Sequence, residues 1–368
     1  MHIPFCKSKC SYCSFYSVAN NLTISDFIKA LLKEIETEKY SIDNKTVKTI
    51  YFGGGTPSIL KISEINNIIK QIKKHYKIAE NAEITFEANP EDLTSDYLNE
   101  LFKLGINRLS IGLQSTDEET LKMMRRRHTA DQAISSVYNA FEKGFRNVSV
   151  DFIYGIKGIS ADNYLGQLRK IVSMPVKHIS AYHLSIEKGT LLYRRLNERR
   201  LSIPDEDLSY DQYCKLIDLT SEAGFMQYEI SNFAKTGFLS KHNSSYWSRN
   251  DYLGFGPSAH SLINNVRSSN PPDLKKYLVE IITDKITKQK EYLSETDILN
   301  ETIMLELRTK NGLDLLKFKN LFGIFEYENL IERVKKLNHE FYKHSNSHLY
   351  LTKGGMFVSN SIISNLFK

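Results

Sequence analysis

Three of the four cysteines in this 368-residue chain lie within its first thirteen residues, as Cys6, Cys10 and Cys13. A C-x3-C-x2-C spacing allows one loop to turn three thiolates toward the same small metal site. Iron–sulfur cubanes are normally held by four thiolates, so three would leave one iron open to an external chelating ligand. The alternative is a zinc site with His2 or a remote residue as fourth ligand, although structural zinc usually comes with two paired cysteine spacings. The remaining cysteine, Cys214, lies in an amphipathic stretch and is predicted to be a buried structural thiol.

The composition is that of an ordinary globular protein of about two domains, with 41% hydrophobic and 25% charged residues. The net charge of +6 is small and spread along the chain, so it does not predict a nucleic-acid partner. No apolar run approaches the length of a membrane span, which is about 18 residues, and no signal peptide is evident. Few cysteines, concentrated in one cluster, are typical of a cytoplasmic protein that uses thiols for metal rather than for disulfides.

Up to about residue 235, short β-branched or aromatic runs alternate with amphipathic helical patterns. Such alternation predicts βαβ units and an α/β fold with a parallel sheet. Because no GxGxxG follows the first strand, a barrel or partial barrel is favoured over a dinucleotide-binding fold. Chemistry in such sheets lies at the carboxyl ends of the strands. The predicted strands are Lys48–Phe52, Glu83–Ala88, Arg108–Gly112, Asn147–Tyr154 and His178–Leu184.

The alternation of strand and helix patterns ends at about residue 240. Helical patterns cover Leu274–Ile282, Glu295–Leu307 and Tyr327–Leu337, and a short β-like run, Leu349–Thr352, follows. We therefore predict a first domain over residues 1–235. A smaller, mainly helical and winged-helix-like domain is predicted over residues 236–368.

The cysteine segment HIPFCKSKCSYC (residues 2–13) resembles the cluster motif of radical SAM proteins. Within that family it is most similar to the branch around oxygen-independent coproporphyrinogen III dehydrogenase. The resemblance implies a partial parallel (β/α)6-type barrel and a 4Fe–4S cluster on the three cysteines. It also implies that the unique iron of the cluster binds the amino and carboxylate groups of S-adenosylmethionine, whose reductive cleavage gives a 5′-deoxyadenosyl radical.

Later segments resemble the same family in the same order, up to about residue 187. In YFGGGTP (residues 51–57), bare glycine backbone allows the charged end of a ligand to approach closely, although a tight strand-to-helix turn explains the glycines equally well. Glu87 could instead cap a helix or form an ion pair. Asp151 could instead be a turn former. The resemblance implies that S-adenosylmethionine is bound by Tyr12, Gly54, Gly55, Thr56, Glu87, Gln114, Arg126 and Asp151.

A second segment, HNSSYW (residues 242–247), is similar to a signature of the haem-chaperone (HemW-type) branch of this family. An imidazole can bind haem iron, and aromatic rings can cover the macrocycle, so His242 is the candidate haem-binding residue. A histidine beside the chain's single tryptophan is also typical of an ordinary packed loop, and the segment alone does not decide between the two.

Phe15 separates the branches. The dehydrogenases that the chain resembles carry a further cysteine two residues after the third ligand, and also a long extension before the cluster motif. Here that position is Phe15 and the motif begins at residue 2, as in the haem-chaperone branch. The sequence therefore predicts an iron–sulfur, S-adenosylmethionine-binding chaperone that carries haem as cargo to acceptor haemoproteins, membrane-associated ones included. The alternatives are coproporphyrinogen III dehydrogenase and, disfavoured by HNSSYW, a radical SAM methyltransferase.

Overall fold

The computed structural model describes residues 1–19, 22–42, 46–200, 202–285 and 287–368. An eight-stranded sheet organises the first two thirds of the chain. Its strands are β1 (His2–Ile3), β2 (Val47–Gly54), β3 (Ile78–Ala88), β4 (Arg108–Gln114), β5 (Asn147–Tyr154), β6 (His178–His183), β7 (Met226–Gln227) and β8 (Asn232–Ala234). Their spatial order is β1-β2-β3-β4-β5-β6-β8-β7. Strands β1 to β6 are parallel, and β8 and β7 extend the sheet in antiparallel fashion.

Helices connect the parallel strands and cover one side of the sheet. They are α1 (Ile24–Thr37), α2 (Ile62–His75), α3 (Ser95–Lys103), α4 (Glu118–Met123), α5 (Ala130–Glu142), α6 (Ala161–Ser173), α7 (Leu191–Asn197) and α8 (Glu206–Glu222). The helical spacing of Ile65, Ile68, Ile69 and Ile72 places all four in the core. The predicted parallel α/β fold is confirmed, and each of the five predicted strands is present.

Side chains alternate across the strands, so each strand has an apolar and a polar face. On β2, Ile50 and Phe52 are buried in the apolar core, whereas Thr49 and Tyr51 on the opposite face hydrogen-bond to polar side chains. On β4, Arg108 is on the polar face and only 1% exposed. The concave side of the sheet is therefore lined with polar groups that can bind ligands.

The segment that follows β8 folds back onto the sheet. It contains α9 (Lys241–Trp247), α10 (Leu274–Ile282) and a three-stranded antiparallel sheet of β9 (His260–Ile263), β10 (Val266–Ser269) and β11 (Gln289–Tyr292). Buried Glu34 of α1 accepts hydrogen bonds from the Gly256 amide (2.8 Å), the Asn270 side chain (2.6 Å) and the Tyr277 hydroxyl (2.8 Å). Because this segment packs on the first strands and on α1, the domain boundary near residue 235 stays a prediction.

The C-terminal part contains α11 (Glu295–Leu307), β12 (Leu313–Asp314), α12 (Leu315–Val334), β13 (Tyr342–His344), β14 (His348–Leu351), α13 (Lys353–Phe357) and α14 (Ser359–Ser364). Its strands form a small antiparallel sheet in the order β12-β14-β13. The helices predicted over Leu274–Ile282 and Glu295–Leu307 have those bounds, but α12 begins twelve residues before the predicted Tyr327. Gly323, at φ 87°, breaks α12 and hides its periodicity. The mainly helical, winged-helix-like class is confirmed. Within the described residues, no helix has both the length and the apolar character needed to cross a membrane.

Candidate functional site

A cleft of about 460 Å³ lies at the carboxyl ends of the parallel strands. The three clustered cysteines and all eight residues predicted to bind S-adenosylmethionine line it: Cys6, Cys10, Tyr12, Cys13, Gly54, Gly55, Thr56, Glu87, Gln114, Arg126 and Asp151. Residues from five separate segments meet here because parallel strands end at the same edge of a sheet. Their roles as ligands stay predictions. His242 is not part of this cleft.

The cysteine loop is attached to the rest of the fold at several points. The amide of Ser11 donates to the Met124 carbonyl (3.0 Å), and its hydroxyl donates to the Met123 carbonyl (2.9 Å). Cys10 Sγ lies 3.3 Å from a donating Arg126 nitrogen, and Cys6 Sγ lies 3.4 Å from the Thr56 hydroxyl. The loop therefore presents its thiols to polar partners on the strand ends, rather than packing them away.

The donors in the cleft fit an iron–sulfur cluster better than zinc. All three cysteines are free and partly exposed to the cleft, and thiolates are the usual ligands of such clusters. His2, the fourth ligand of the zinc alternative, donates its Nε2 proton to the Tyr16 carbonyl (2.9 Å) and lines a different cavity. In the part of the chain that the structure describes, no three His, Cys, Asp or Glu side chains surround a single-ion site.

Gly55 sets how closely the loop approaches β2. A Cβ atom there would lie 2.7 Å from the Phe5 carbonyl oxygen and 3.1 Å from Cys6 Sγ. We expect Gly55→Ala to displace the loop and to lower the iron and sulfide content of the reconstituted protein severalfold. The matched control is Gly166→Ala in α6, where an added Cβ has no atom within 4 Å and should stabilise the helix by up to about 1 kcal/mol. Equal iron content in both variants would contradict this account of the loop.

Two partly buried carboxylates line the cleft. Glu87 accepts a 2.6 Å hydrogen bond from the Tyr51 hydroxyl and another from the Gly54 amide. Burial, together with the negative charge of the nearby Asp151, raises the pKa of Glu87 to about 7. Asp151 lies inside β5 rather than at its end, and it accepts from Ser110 (3.1 Å) and Ser180. Burial also raises the pKa of Asp151. Neither is a helix cap or a turn former, and no ion pair to Glu87 occurs among the described residues.

The raised pKa of Glu87 has a consequence for stability. Because the folded state holds this proton more tightly than the unfolded chain does, the stabilisation is complete below the ordinary carboxyl pKa and is lost as the pH rises through about 7. We expect the free energy of unfolding of the wild type, relative to Glu87→Gln, to fall by about 3 kcal/mol between pH 5 and pH 8. Urea unfolding of both proteins across this range, without added ligand, measures the difference. The pKa of Glu229 is also raised to about 7, but this group is present in both proteins and cancels. If the free energies of unfolding of the two proteins changed equally with pH, the raised pKa of Glu87 would be contradicted.

Arg126 and Gln114 complete the cleft. Arg126 donates to the Asn89 side chain (2.7 Å) and the Gly112 carbonyl (2.8 Å), while its Nε has no partner among the described residues. Gln114 has a φ of 64°, in the left-handed region, where a non-glycine residue is held at a cost of about 1–3 kcal/mol. The pairing of β4 with β5 shifts register between Ile111 and Gln114, which turns the Gln114 side chain toward the cleft.

His242 faces a second, larger cavity of about 1200 Å³. Its ring contacts three side chains: Nδ1 lies 2.8 Å from the Thr49 hydroxyl, Nε2 lies 3.1 Å from the Tyr246 hydroxyl, and the ring stacks on Tyr51 at 4.7 Å and 20°. Burial lowers the pKa of His242 to about 3, so the imidazole is neutral, as an iron ligand must be. His242 is thus neither a free surface residue nor an isolated core histidine.

Helix α9 carries His242 and is anchored at its first turn. Buried Glu83 of β3 accepts from the backbone amides of Lys241 (3.1 Å) and His242 (3.0 Å), and Ser240 caps the helix. Tyr246 and Tyr252 line the cavity, with their rings 4.7 Å apart and edge to face. Trp247 is not among its lining residues, so the expectation that tryptophan covers a macrocycle there is not supported.

Four residues at the site carry contacts that sequence reasoning did not assign to them. Tyr51 and Thr49 lie on the polar face of β2, Asn89 accepts from Arg126, and Arg108 is buried with its Nε unpartnered among the described residues. Of these, Tyr51 lies within the YFGGGTP segment. Period-two alternation along β2 could have placed Tyr51 and Thr49 on the concave side.

Comparisons with known proteins agree with the fold. A model of the radical SAM superfamily matches residues 1–171, and one of the HemN C-terminal domain matches residues 293–358. The structure of coproporphyrinogen III oxidase from Escherichia coli superposes with a TM-score of 0.86 at 20% identity, covering 100% of this chain and 89% of the enzyme. This likeness shows that the chain has the radical SAM fold.

Relatives at 31–32% identity point to one group within that fold. The heme chaperone HemW of Lactococcus lactis is 31% identical, over 98% of this chain and 94% of the relative. The heme chaperone HemW of Bacillus subtilis is 31% identical, over 98% and 97%. The bovine mitochondrial protein named radical S-adenosyl methionine domain-containing protein 1 is 32% identical, over 85% and 73%. Because the two HemW relatives match almost the entire chain at 31% identity, the chain belongs to the radical SAM family, within the group of HemW-type haem chaperones.

Proposed function

We propose that this protein binds haem in the cavity of His242 and delivers it to acceptor haemoproteins in the cytoplasm or at its membrane. The observation that carries the proposal is a neutral histidine facing a cavity of about 1200 Å³, above the usual size of small-molecule pockets. Among the residues that the structure describes, this cavity shares only Gly54 with the cysteine cleft. The names of the relatives support the same cargo.

We further propose that the cleft holds a 4Fe–4S cluster on Cys6, Cys10 and Cys13, and S-adenosylmethionine beside it. A cluster held by three thiolates supplies an iron with an open position for the amino and carboxylate groups of that ligand. The chain's own residues would provide the remaining recognition. Arg126 offers positive charge to a carboxylate, and Glu87 and Asp151 offer acceptors to ammonium or hydroxyl groups in a buried setting.

At the haem site, His242 would bind iron through Nε2 while Nδ1 stays on Thr49, which fixes the orientation of the ring. The Tyr246 hydroxyl occupies Nε2, so it must move away when iron binds. Tyr246 is 37% exposed, which leaves it free to do so. A ligand held by one histidine in an open cavity can also be released, as delivery requires.

One observation bears on the alternative, an oxygen-independent coproporphyrinogen III dehydrogenase. Phe15 lines the mouth of the cysteine cleft and is 68% exposed. The dehydrogenases that the chain resembles have a thiol at this position, and here the position offers only an apolar ring. This substitution favours a carrier over that enzyme.

Two assays on the anaerobically reconstituted protein test the proposal. Ferric haem is titrated and followed by its Soret band, with bovine serum albumin as the control for unspecific binding. In parallel, the reduced protein is incubated with S-adenosylmethionine and coproporphyrinogen III, and decarboxylated product is measured. We expect saturable binding of one haem per chain and no product. Product formation without stoichiometric haem binding would refute the chaperone assignment and support the dehydrogenase.

A further inference from the structure

Tyr51 separates the two cavities and contacts a key residue in each. Its hydroxyl donates to Glu87 Oε1 at 2.6 Å, and Glu87 lines the cysteine cleft. Its ring stacks on the imidazole of His242 at 4.7 Å and 20°, and His242 lines the second cavity. One side chain therefore joins the carboxylate of the first cavity directly to the histidine of the second.

The neighbouring backbone makes this arrangement tight. A Cβ atom at Gly53 would lie 2.8 Å from the Tyr51 ring and 2.9 Å from Glu87 Oε1, so the absence of a side chain there leaves room for both. The imidazole is held on its other sides by Thr49 and Tyr246. Because the imidazole stacks on the phenol ring and is hydrogen-bonded at both nitrogens, a shift of the phenol changes the packing that orients the imidazole.

We infer that Tyr51 couples the two cavities, so that S-adenosylmethionine in the cleft raises the affinity of the second cavity for haem, and haem raises the affinity for S-adenosylmethionine by the same factor. This inference rests on the proposed function. The two states differ in one contact: the phenol is either seated on Glu87 with its ring against His242, or released from the carboxylate. Donor groups of a ligand on Glu87 favour its ionised and oriented form, which strengthens the bond to the phenol and fixes the plane of the imidazole.

Haem needs the same fixed imidazole, because Nε2 must exchange the Tyr246 hydroxyl for iron while Nδ1 keeps its bond to Thr49. Ordering the imidazole ring costs free energy. A first ligand that has already ordered the ring removes this cost for the second ligand, which is positive cooperativity. The reciprocity of the factor follows from thermodynamic linkage.

The test uses the cluster-reconstituted, unreduced protein, so that S-adenosylmethionine is bound without being cleaved. Ferric haem is titrated by its Soret difference absorbance with and without saturating S-adenosylmethionine, and S-adenosylmethionine is titrated calorimetrically with and without haem. For the wild type we expect both affinities to rise by the same factor, about fivefold or more. Tyr51→Phe keeps the ring and loses the hydroxyl, so we expect its factor to fall to about one while haem is still bound.

Tyr164→Phe is the matched control, since it removes a buried hydroxyl (2.9 Å to the Gln212 carbonyl) that touches neither cavity, and it should keep the wild-type factor. Haem binding by the wild type with a factor of one would overturn the inference and leave the proposed function intact. If Tyr51→Phe kept the wild-type change in affinity, the coupling would not pass through Tyr51. The charge of Arg108, which acts on both Asp151 and His242, would then be the remaining way to couple the cavities. If the wild type bound no haem, the proposed function itself would fail. Unchanged thermal unfolding of both variants shows that they fold.

Discussion

Replacing Cys10 by alanine should abolish the iron–sulfur cluster. The thiol lies on the cleft, 3.3 Å from the Arg126 guanidinium. A 4Fe–4S cluster is normally held by four thiolates, so the two thiols that remain in this variant would be too few to hold it. After anaerobic reconstitution, we expect the iron and acid-labile sulfide content per chain to fall by more than about tenfold, and the broad visible absorbance of the cluster to disappear. Cys6→Ala and Cys13→Ala should behave alike, because the three thiols act as one ligand set.

The chain supplies its own control in Cys214→Ala. This fourth cysteine lies half-buried on α8, away from the cleft, with its backbone carbonyl near the Lys353 ammonium. We expect its variant to keep the wild-type iron content, since only its thiol is removed. Normal iron content in Cys10→Ala, or equal loss in Cys214→Ala, would contradict the assignment of the cluster to the first thirteen residues.

The cleft was largely predictable because many of its residues stand in the carboxyl-terminal halves of parallel strands. Gly54, Glu87, Gln114 and Asp151 follow one another at intervals of 27 to 37 residues along the chain, yet the periodic strand–helix pattern brings their strands side by side. A resemblance that runs through these segments in order therefore also predicts that they lie together. The structure places all of them on one cleft.

The second cavity was harder to predict because its contacts are long-range. Thr49 and His242 are 193 positions apart. Glu83, whose carboxylate accepts a hydrogen bond from the His242 amide, is 159 positions from it. No periodicity connects a mid-strand threonine or an inward-facing glutamate with a short helix that follows β8. The sequence could propose His242 as a haem ligand, but it could not show that a tyrosine of the glycine motif stacks on it.

The C-terminal helices show the same limit on a local scale. Two helices were predictable to the residue. The bounds of Leu274–Ile282 follow from its regular apolar spacing. Those of Glu295–Leu307 follow from the capping Ser294 and Asp297 before its apolar residues. Helix α12 was predicted only from Tyr327 because Gly323 rotates the apolar face of its second half relative to the first. Leu321 and Phe325, on either side of the break, remain about two thirds exposed, so the pattern there does not report burial.

Replacing His242 by alanine should weaken haem binding by at least about tenfold and shift the Soret band, while the cluster content stays at the wild-type level. In the proposed function, this neutral imidazole, which α9 presents to the second cavity, would be the iron ligand, and its hydrogen bond to Thr49 would orient it. Because its pKa is lowered to about 3, we expect wild-type haem affinity to show no loss from protonation of His242 between pH 5 and pH 8. Added imidazole should restore the wild-type Soret position in His242→Ala by entering the space that the side chain leaves.

Two controls make the result specific to this histidine. His344→Ala removes an exposed imidazole from β13, outside both cavities, and should leave the haem titration unchanged. His260→Ala removes a second histidine that lines the same cavity, and it tests whether iron prefers that ring. A wild-type spectrum and affinity in His242→Ala, with loss in His260→Ala, would move the iron to His260. Full haem binding, with a wild-type spectrum, in both His242→Ala and His260→Ala would contradict ligation by either of these two histidines.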